Sequence, residues 1–214
     1  MKKNIQATSI VEAMVVLLIV TLAVTGAYNV FSRTIKLTDS NEYKLVAISM
    51  AKEGIEAFTN IRDTNWKVLP GDYTNCWNTL NYDISCFNAT PPKTSTDIGH
   101  DSSYTIYRNS TNYRWYLQNF FPTGGYSNST YRENFRVWYD NDGFFTQTGT
   151  IIQMKPVFTR EIKVSYIEDG LVSGFTDSNE QKMKVTSLVQ WTDPSSTKVK
   201  KVELETILTN WKNK

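Results

Sequence analysis

The sequence predicts an α+β protein: one long N-terminal helix packed by its C-terminal half on a C-terminal antiparallel β-sheet. Three observations carry that expectation. No proline occurs before Pro70, so nothing in the first third forces a helix to break. Apolar or small residues recur every three or four positions at Tyr43, Ala47, Met50, Gly54, Phe58 and Ile61, the signature of one buried helix face. Towards the C-terminus the period changes to two, with apolar and polar residues alternating as they do in a half-covered sheet.

The first element opens on Lys2 and Lys3, a basic end that favours the cytoplasmic side of a membrane. Residues 10 to 31 follow as a run of about 33 Å when helical, enough to cross a bilayer. Glu12 lies inside that run, where a carboxylate costs about 2.5–3.5 kcal/mol on insertion scales, so something must offset it. An ordinary secretory signal is the alternative, with Thr25 and Ala27 in "TLAVTGAYN" as its cleavage site. The helical pattern continues to Arg62, and Gly26 within it costs only ~1 kcal/mol. Asp39, Glu42, Lys44, Lys52, Glu53 and Glu56 lie mostly off the apolar stripe.

"LPGDY" ends the helix, and residues 70 to 103 read as loop. Cys76 and Cys86 stand too far apart for the usual C-x2-C metal or redox spacings, and a single His100 leaves a zinc site short of ligands. Downstream of an export signal the expected state is a Cys76–Cys86 disulfide. The strand signals are "YTIYR", "YRWYL", a hairpin in "NFRVWYDNDGFFTQ" turning at Asn141, Asp142 and Gly143, then "FTREIKVSYIE", "KMKVTSLVQW" and "KVELETIL". Ile162, Val164 and Tyr166 share a face, as do Met183, Val185, Val189 and Trp191; "TDPSSTK" joins the last two strands. Read in order, they form an antiparallel meander covered by the helix stripe.

Composition excludes more than it includes. The 214 residues carry a formal charge of +2, which gives no drive toward polyanions. There is no phosphate-binding glycine loop, no G-x-S-x-G and no H-E-x-x-H, so the chain is expected not to be an enzyme, and no cofactor or metal is implied. Triplets at Asn88, Asn109 and Asn128 fit glycan acceptors by pattern alone and are read as chance. "DNDG" at residues 140 to 143 has part of a calcium-loop pattern, but a hairpin turn is favoured. Aromatics crowd residues 104 to 145 beside Arg108, Arg114, Arg132 and Arg136. That surface could stack DNA or sugar, but core and subunit contacts are the preferred reading.

The order of features, a short basic leader, a small residue, a glutamate five residues later inside an apolar span, a long helix and an antiparallel sheet, resembles type IV pilin-like proteins: pilins, minor pilins and pseudopilins of type II secretion. "ATSIVE" resembles their processing motif, with Ala7 before the cut, Thr8 as the new N-terminus and Glu12 as the fifth mature residue. Ala7 stands where the family usually has glycine, and Thr8 where it usually has an apolar residue. "AKEGIEAFTNIRDTNW" and "KVTSLVQWTDPSSTKVKKVELETILTNW" resemble the helix end and closing hairpin of such proteins.

The resemblance implies a leader at 1–7, a membrane or filament-core half-helix at 8–33, an amphipathic half at 34–66 and a β-rich head at 67–214. It implies cleavage by a prepilin peptidase, N-methylation of Thr8, and docking through Glu12. The implied partners are other pilin subunits and an inner-membrane assembly platform. The implied location is first the cytoplasmic membrane with the head outside it, then a surface filament. Losing Lys2 and Lys3 with the leader would bring the 23 basic residues level with the 21 acidic ones. The rival expectation is a membrane-anchored or secreted domain that binds glycan, a surface or DNA, with Glu12 incidental.

Overall fold

A computed structural model describes residues 10 to 87, 97 to 99, 102 to 122, 124 to 139, 145 to 148, 152 to 153, 156 to 167, 182 to 193 and 198 to 212. The chain divides into two compact units, one ending at Tyr43 and the other beginning at Lys44. Helix α1, Ile10–Val68, is a single element of 59 residues and runs past Arg62, where the sequence pattern ends. It stops at the Leu69–Pro70 step, since proline disfavours a helical residue before it, and Lys67 in the last turn complements the helix dipole.

From Ile10 to Phe31, in the first unit, the helix is apolar on nearly every side, with Glu12 its one charge. Ile10, Leu17, Leu22 and Phe31 are each more than half exposed, and the helix is long and apolar enough to cross a membrane. Its threonine hydroxyls close onto the helix's own carbonyls: Thr21 Oγ1 donates to Leu18 O at 2.9 Å, Thr25 Oγ1 to Thr21 O at 2.7 Å and Thr34 Oγ1 to Val30 O at 2.9 Å.

In the second unit, residues 47 to 66 of α1 cover the sheet as expected. Ala47, Met50, Gly54, Phe58 and Ile61 are buried along the predicted stripe. The helix backbone sits close on the strand side chains at Gly54, where a Cβ would fall 2.6 Å from Ser187 Oγ and 2.8 Å from Ile162 Cδ1. A larger residue here would force Ser187 and Ile162 to shift.

The sheet has five strands in the order β2-β1-β6-β7-β8. They are β1 Ser102–Arg108, β2 Trp115–Phe120, β6 Phe158–Tyr166, β7 Lys182–Thr192 and β8 Val199–Thr209. All neighbours run antiparallel. Their helix-side residues, among them Tyr104, Ile106, Leu117, Ile162, Val164, Met183 and Val185, pack with Phe58, Ile61 and Trp66 into the main core.

The meander is interrupted between β1 and β6. There the chain inserts a short helix α3, Ser129–Asn134, and a small sheet of β3 Trp138–Tyr139, β4 Phe145–Thr146 and β5 Ile152–Gln153 in the order β4-β3-β5. β3 and β4 pair antiparallel around the predicted hairpin, while its turn residues Asn141 to Gly143 lie outside the described residues. The insertion fills a gap: β1 pairs with β6 only at Ile162 to Val164, so the start of β6 takes its partner from residues 135 to 137. Val137 N donates to Phe158 O at 2.9 Å and Arg160 N to Phe135 O at 2.8 Å.

Within the expected loop at 70 to 103, residues 73 to 86 hold regular structure. These elements are α2, Tyr73–Cys76, and two 3-10 turns, Leu80–Tyr82 and Ile84–Cys86. The predicted disulfide joins Cys76 to Cys86, both buried. Between them Asn81 adopts φ 53°, a left-handed conformation that asparagine tolerates. Its side-chain amide then imitates a strand: Nδ2 donates to Leu117 O at 2.9 Å and Oδ1 accepts from Leu117 N at 2.8 Å. The disulfide loop thus caps the outer edge of β2. Asn65 ties the same loop to α1, donating to Trp77 O at 3.2 Å and Thr79 O at 3.0 Å.

Replacing both cysteines by serine should therefore cost about 2–3 kcal/mol, the value for closing a loop this short. Chemical denaturation measures that cost, and faster hydrogen exchange at the Leu117 amide would report release of the cap. Unchanged exchange at Leu117 would show that Asn81 holds the edge without the disulfide.

Burial also makes the second unit sensitive to alkali. The Tyr82 hydroxyl donates to Trp115 O at 2.7 Å, and burial with Tyr116 nearby pushes its pKa from 10.0 up to about 12. Burial raises Tyr104 as well. A raised folded-state pKa means that the folded chain binds more protons than the unfolded chain above pH 10, so stability falls as pH climbs from 10 to 12. Phenolate absorbance followed beside circular dichroism is expected to show these tyrosines ionising only as the fold is lost.

Candidate functional site

The helix that begins at Ile10 carries Glu12 in its first turn, exposed among Ile10, Val11, Met14 and Val15. From Val11 to Phe31 it is the one charged side chain, and the threonine hydroxyls beyond it are closed onto the helix's own carbonyls. In an apolar surrounding, Glu12 is thus the one charged group of this stretch that needs an external partner. Ala7 and Thr8, the residues flanking the expected cut, lie outside the described residues.

Among the described residues the aromatic segment divides between core and surface, with Phe121 and Tyr113 exposed. Tyr104, Tyr126, Tyr131 and Phe135 are buried. The last three form a small cluster with Phe120, apart from the main core. Tyr113 remains exposed at φ 57°, with the Arg108 guanidinium over its ring at 5.2 Å. Arg114, Arg132 and Arg136 likewise lie over Tyr82, Tyr126 and Trp138. The "DNDG" segment is outside the described residues, and no group of acidic, histidine or cysteine side chains able to hold a metal occurs among the described ones.

Two buried charges on β6 were not singled out by the sequence reading. Arg160 is in phase with Ile162 and Val164 and is fully buried on the helix side. Its Nη1 donates to Glu53 Oε1 of α1 at 2.9 Å and to Met50 O at 3.3 Å, and Nε donates to Gln147 Oε1 at 3.1 Å. Burial lowers its pKa and Glu53 opposes that shift by favouring the charged form. Gln147 passes the connection on, donating to Phe135 O at 3.0 Å and Arg160 O at 2.6 Å. One ion pair therefore ties α1, β6 and the inserted segment together. The period-two phase of Arg160 with its apolar neighbours was the signal available for it.

Glu161, the next residue, is buried on the opposite face of the sheet. Its carboxylate accepts from Ser103 Oγ at 2.7 Å and Tyr131 Oη at 2.5 Å, with Lys163 Nζ 3.7 Å away. Burial and the adjoining carboxylate raise the Tyr131 pKa well above the usual phenol range. Glu161 thereby holds α3 down on the sheet and also lies in the wall of two adjoining cavities, of about 230 and 430 Å³.

No family profile, curated protein or solved structure matches this chain.

Proposed function

We propose that this chain is a structural subunit, a minor pilin or pseudopilin, of a type IV pilus-like or type II secretion-like filament. The observation that carries the reading is the helix Ile10–Val68: apolar all round in its first part apart from Glu12, and built into the head's core in its last part. A prepilin peptidase would cut between Ala7 and Thr8. The new Thr8 amine of one subunit would then neutralise Glu12 of its neighbour, which makes a buried carboxylate tolerable. The membrane would store subunits, with their heads outside, until an inner-membrane platform adds them to the filament. The disulfide suits a head that works in an oxidising compartment.

The test is the intact mass and N-terminal peptide of the chain from membranes and from sheared surface material, with and without the peptidase. A chain beginning at Thr8 in a peptidase-dependent manner is the expected result. A chain beginning at Met1 or Tyr28 would overturn the filament reading and leave an anchored or secreted binding domain in its place.

A further inference from the structure

We propose that the outer edge of β8 docks onto the same edge of a second copy of this chain, paired antiparallel about Val202. β8 closes the sheet on one side, and no strand lies beyond it among the described residues. The turn before it fixes which groups face outward. Asp193 N donates to Lys198 O at 3.1 Å, and the β7–β8 ladder continues in that register as far as Lys182 and Thr209. Along an antiparallel strand, residues bonded to one neighbour alternate with residues turned to the other side. Lys200, Val202, Leu204, Thr206 and Leu208 therefore give their amides and carbonyls to β7. Val199, Lys201, Glu203, Glu205, Ile207 and Thr209 turn theirs outward.

Exposed edges are usually kept short, or broken by a proline or a bulge. β8 is 11 residues long, holds no proline and pairs with β7 without a bulge. Its protection is charge alone, and the order of that charge admits one partner. Lys200 and Lys201 come first, Glu203 and Glu205 after, so a copy running the other way meets opposite signs.

The register follows from the same residues. Outward groups meet outward groups only where odd-numbered residues face odd-numbered ones. Centred on Val202, Lys201 of each copy faces Glu203 of the other, twice by symmetry, and the two half-buried Val202 side chains meet on the axis. One step toward Lys201 sets Lys201 against Lys201; one step the other way sets Glu203 against Glu203, and like charges directly opposite destabilise. The second shift would also pair Lys201 with Glu205, but Lys184 already holds Glu205 at 2.8 Å. The Lys201–Glu203 pair within each strand is exposed at 3.3 Å, so exchanging it for the pair between copies gives up little. Residues 199 to 205 of each copy take part, and so small an area makes the contact weak and reversible.

The two-fold axis stands perpendicular to the sheet, so residues 44 to 68 of α1 run in opposite directions in the two copies. Subunits stacked head to tail along one filament share a direction. The β8 contact is therefore separate from filament growth and does not rest on that reading.

The test uses the full chain in phosphatidylcholine nanodiscs, one chain per disc, with copper phenanthroline and dissolved oxygen as oxidant. Cys76 and Cys86 are bonded to each other and do not compete. Facing residues of a pair that is not hydrogen-bonded lie ~4.5 Å apart, Cα to Cα, within reach of a disulfide. Val202→Cys is expected to give about tenfold more cross-linked dimer than Ile207→Cys, although Ile207 is the more exposed of the two. Adding Lys201→Glu or Glu203→Lys to Val202→Cys should each cut the yield about fivefold, since either sets like charges across both pairs. Both side chains are exposed, so melting should match that of the parent chain. Mixing the two charge variants should restore the yield, in mixed dimers recognised by isotope labelling of one, because each supplies the sign the other lacks. Equal cross-linking at Val202 and Ile207 would overturn the proposal and mark the edge as sticky without register. So would a mixture of the two variants that cross-links no better than either alone.

Discussion

Glu53→Ala is expected to lower the stability of the second unit by about 3 kcal/mol, a drop of roughly 6–12 °C in melting temperature. The cost is not the loss of an attraction at the surface. Glu53 is one quarter exposed, but its partner Arg160 has no exposure at all, so removing the carboxylate strands a guanidinium in the core. Met50 O and Gln147 Oε1 still accept from it, which keeps the figure at the low end for a broken buried pair. Glu53→Gln retains an acceptor and should cost less. Replacing both Arg160 and Glu53 by leucine should recover most of the loss, because no charge is then left without a partner. Thermal and denaturant unfolding of the three variants test this order. A double variant as unstable as Glu53→Ala would show that the pair contributes through shape rather than charge.

Glu12→Ala is expected to abolish filaments, or reduce them at least tenfold, while the amount of chain in the membrane stays level or rises. The two outcomes have one cause. Removing the carboxylate takes about 2.5–3.5 kcal/mol from the cost of residing in the bilayer and, on the proposed function, deletes the group that receives the neighbour's amine. Subunits would be stored more comfortably and docked less well. Electron microscopy of sheared material beside membrane immunoblots measures both. Filaments at normal abundance would leave Glu12 without the proposed role.

The helix and the sheet were legible in the sequence because each rests on a period. The stripe from Ala47 to Ile61 and the alternation of Ile162, Val164 and Tyr166 describe buried faces that the structure confirms. What escaped depends on pairings distant in sequence. β1 lies beside β6 because the chain between them folds as an insertion, and nothing local in "YTIYR" states that. α3 was missed because "STYREN" is one short turn in a segment rich in strand-forming aromatics. Its N-cap was readable, since Asn128 Oδ1 accepts from Thr130 N. Arg160 and Glu161 looked like ordinary strand charges; they are buried because Glu53 and Tyr131 reach them from other elements. On Glu12, the residue and its apolar surroundings were plain from the sequence, and the structure adds that the neighbouring threonines are satisfied within their own helix.

Asn81 reaching across to Leu117 gives the sheet two unlike margins. β8 forms the other margin and has no further strand beside it among the described residues; Lys200, Lys201, Glu203 and Glu205 guard it with charge. A sheet with one open margin can join a like sheet once and then stop, whereas a sheet with two can propagate without limit. The Cys76–Cys86 bond that positions Asn81 therefore acts as a chain terminator. While it is intact, accidental strand pairing between heads ends at the pair. Reduction that also frees Asn81 is expected to open the second margin, so that pairing between heads can continue in both directions.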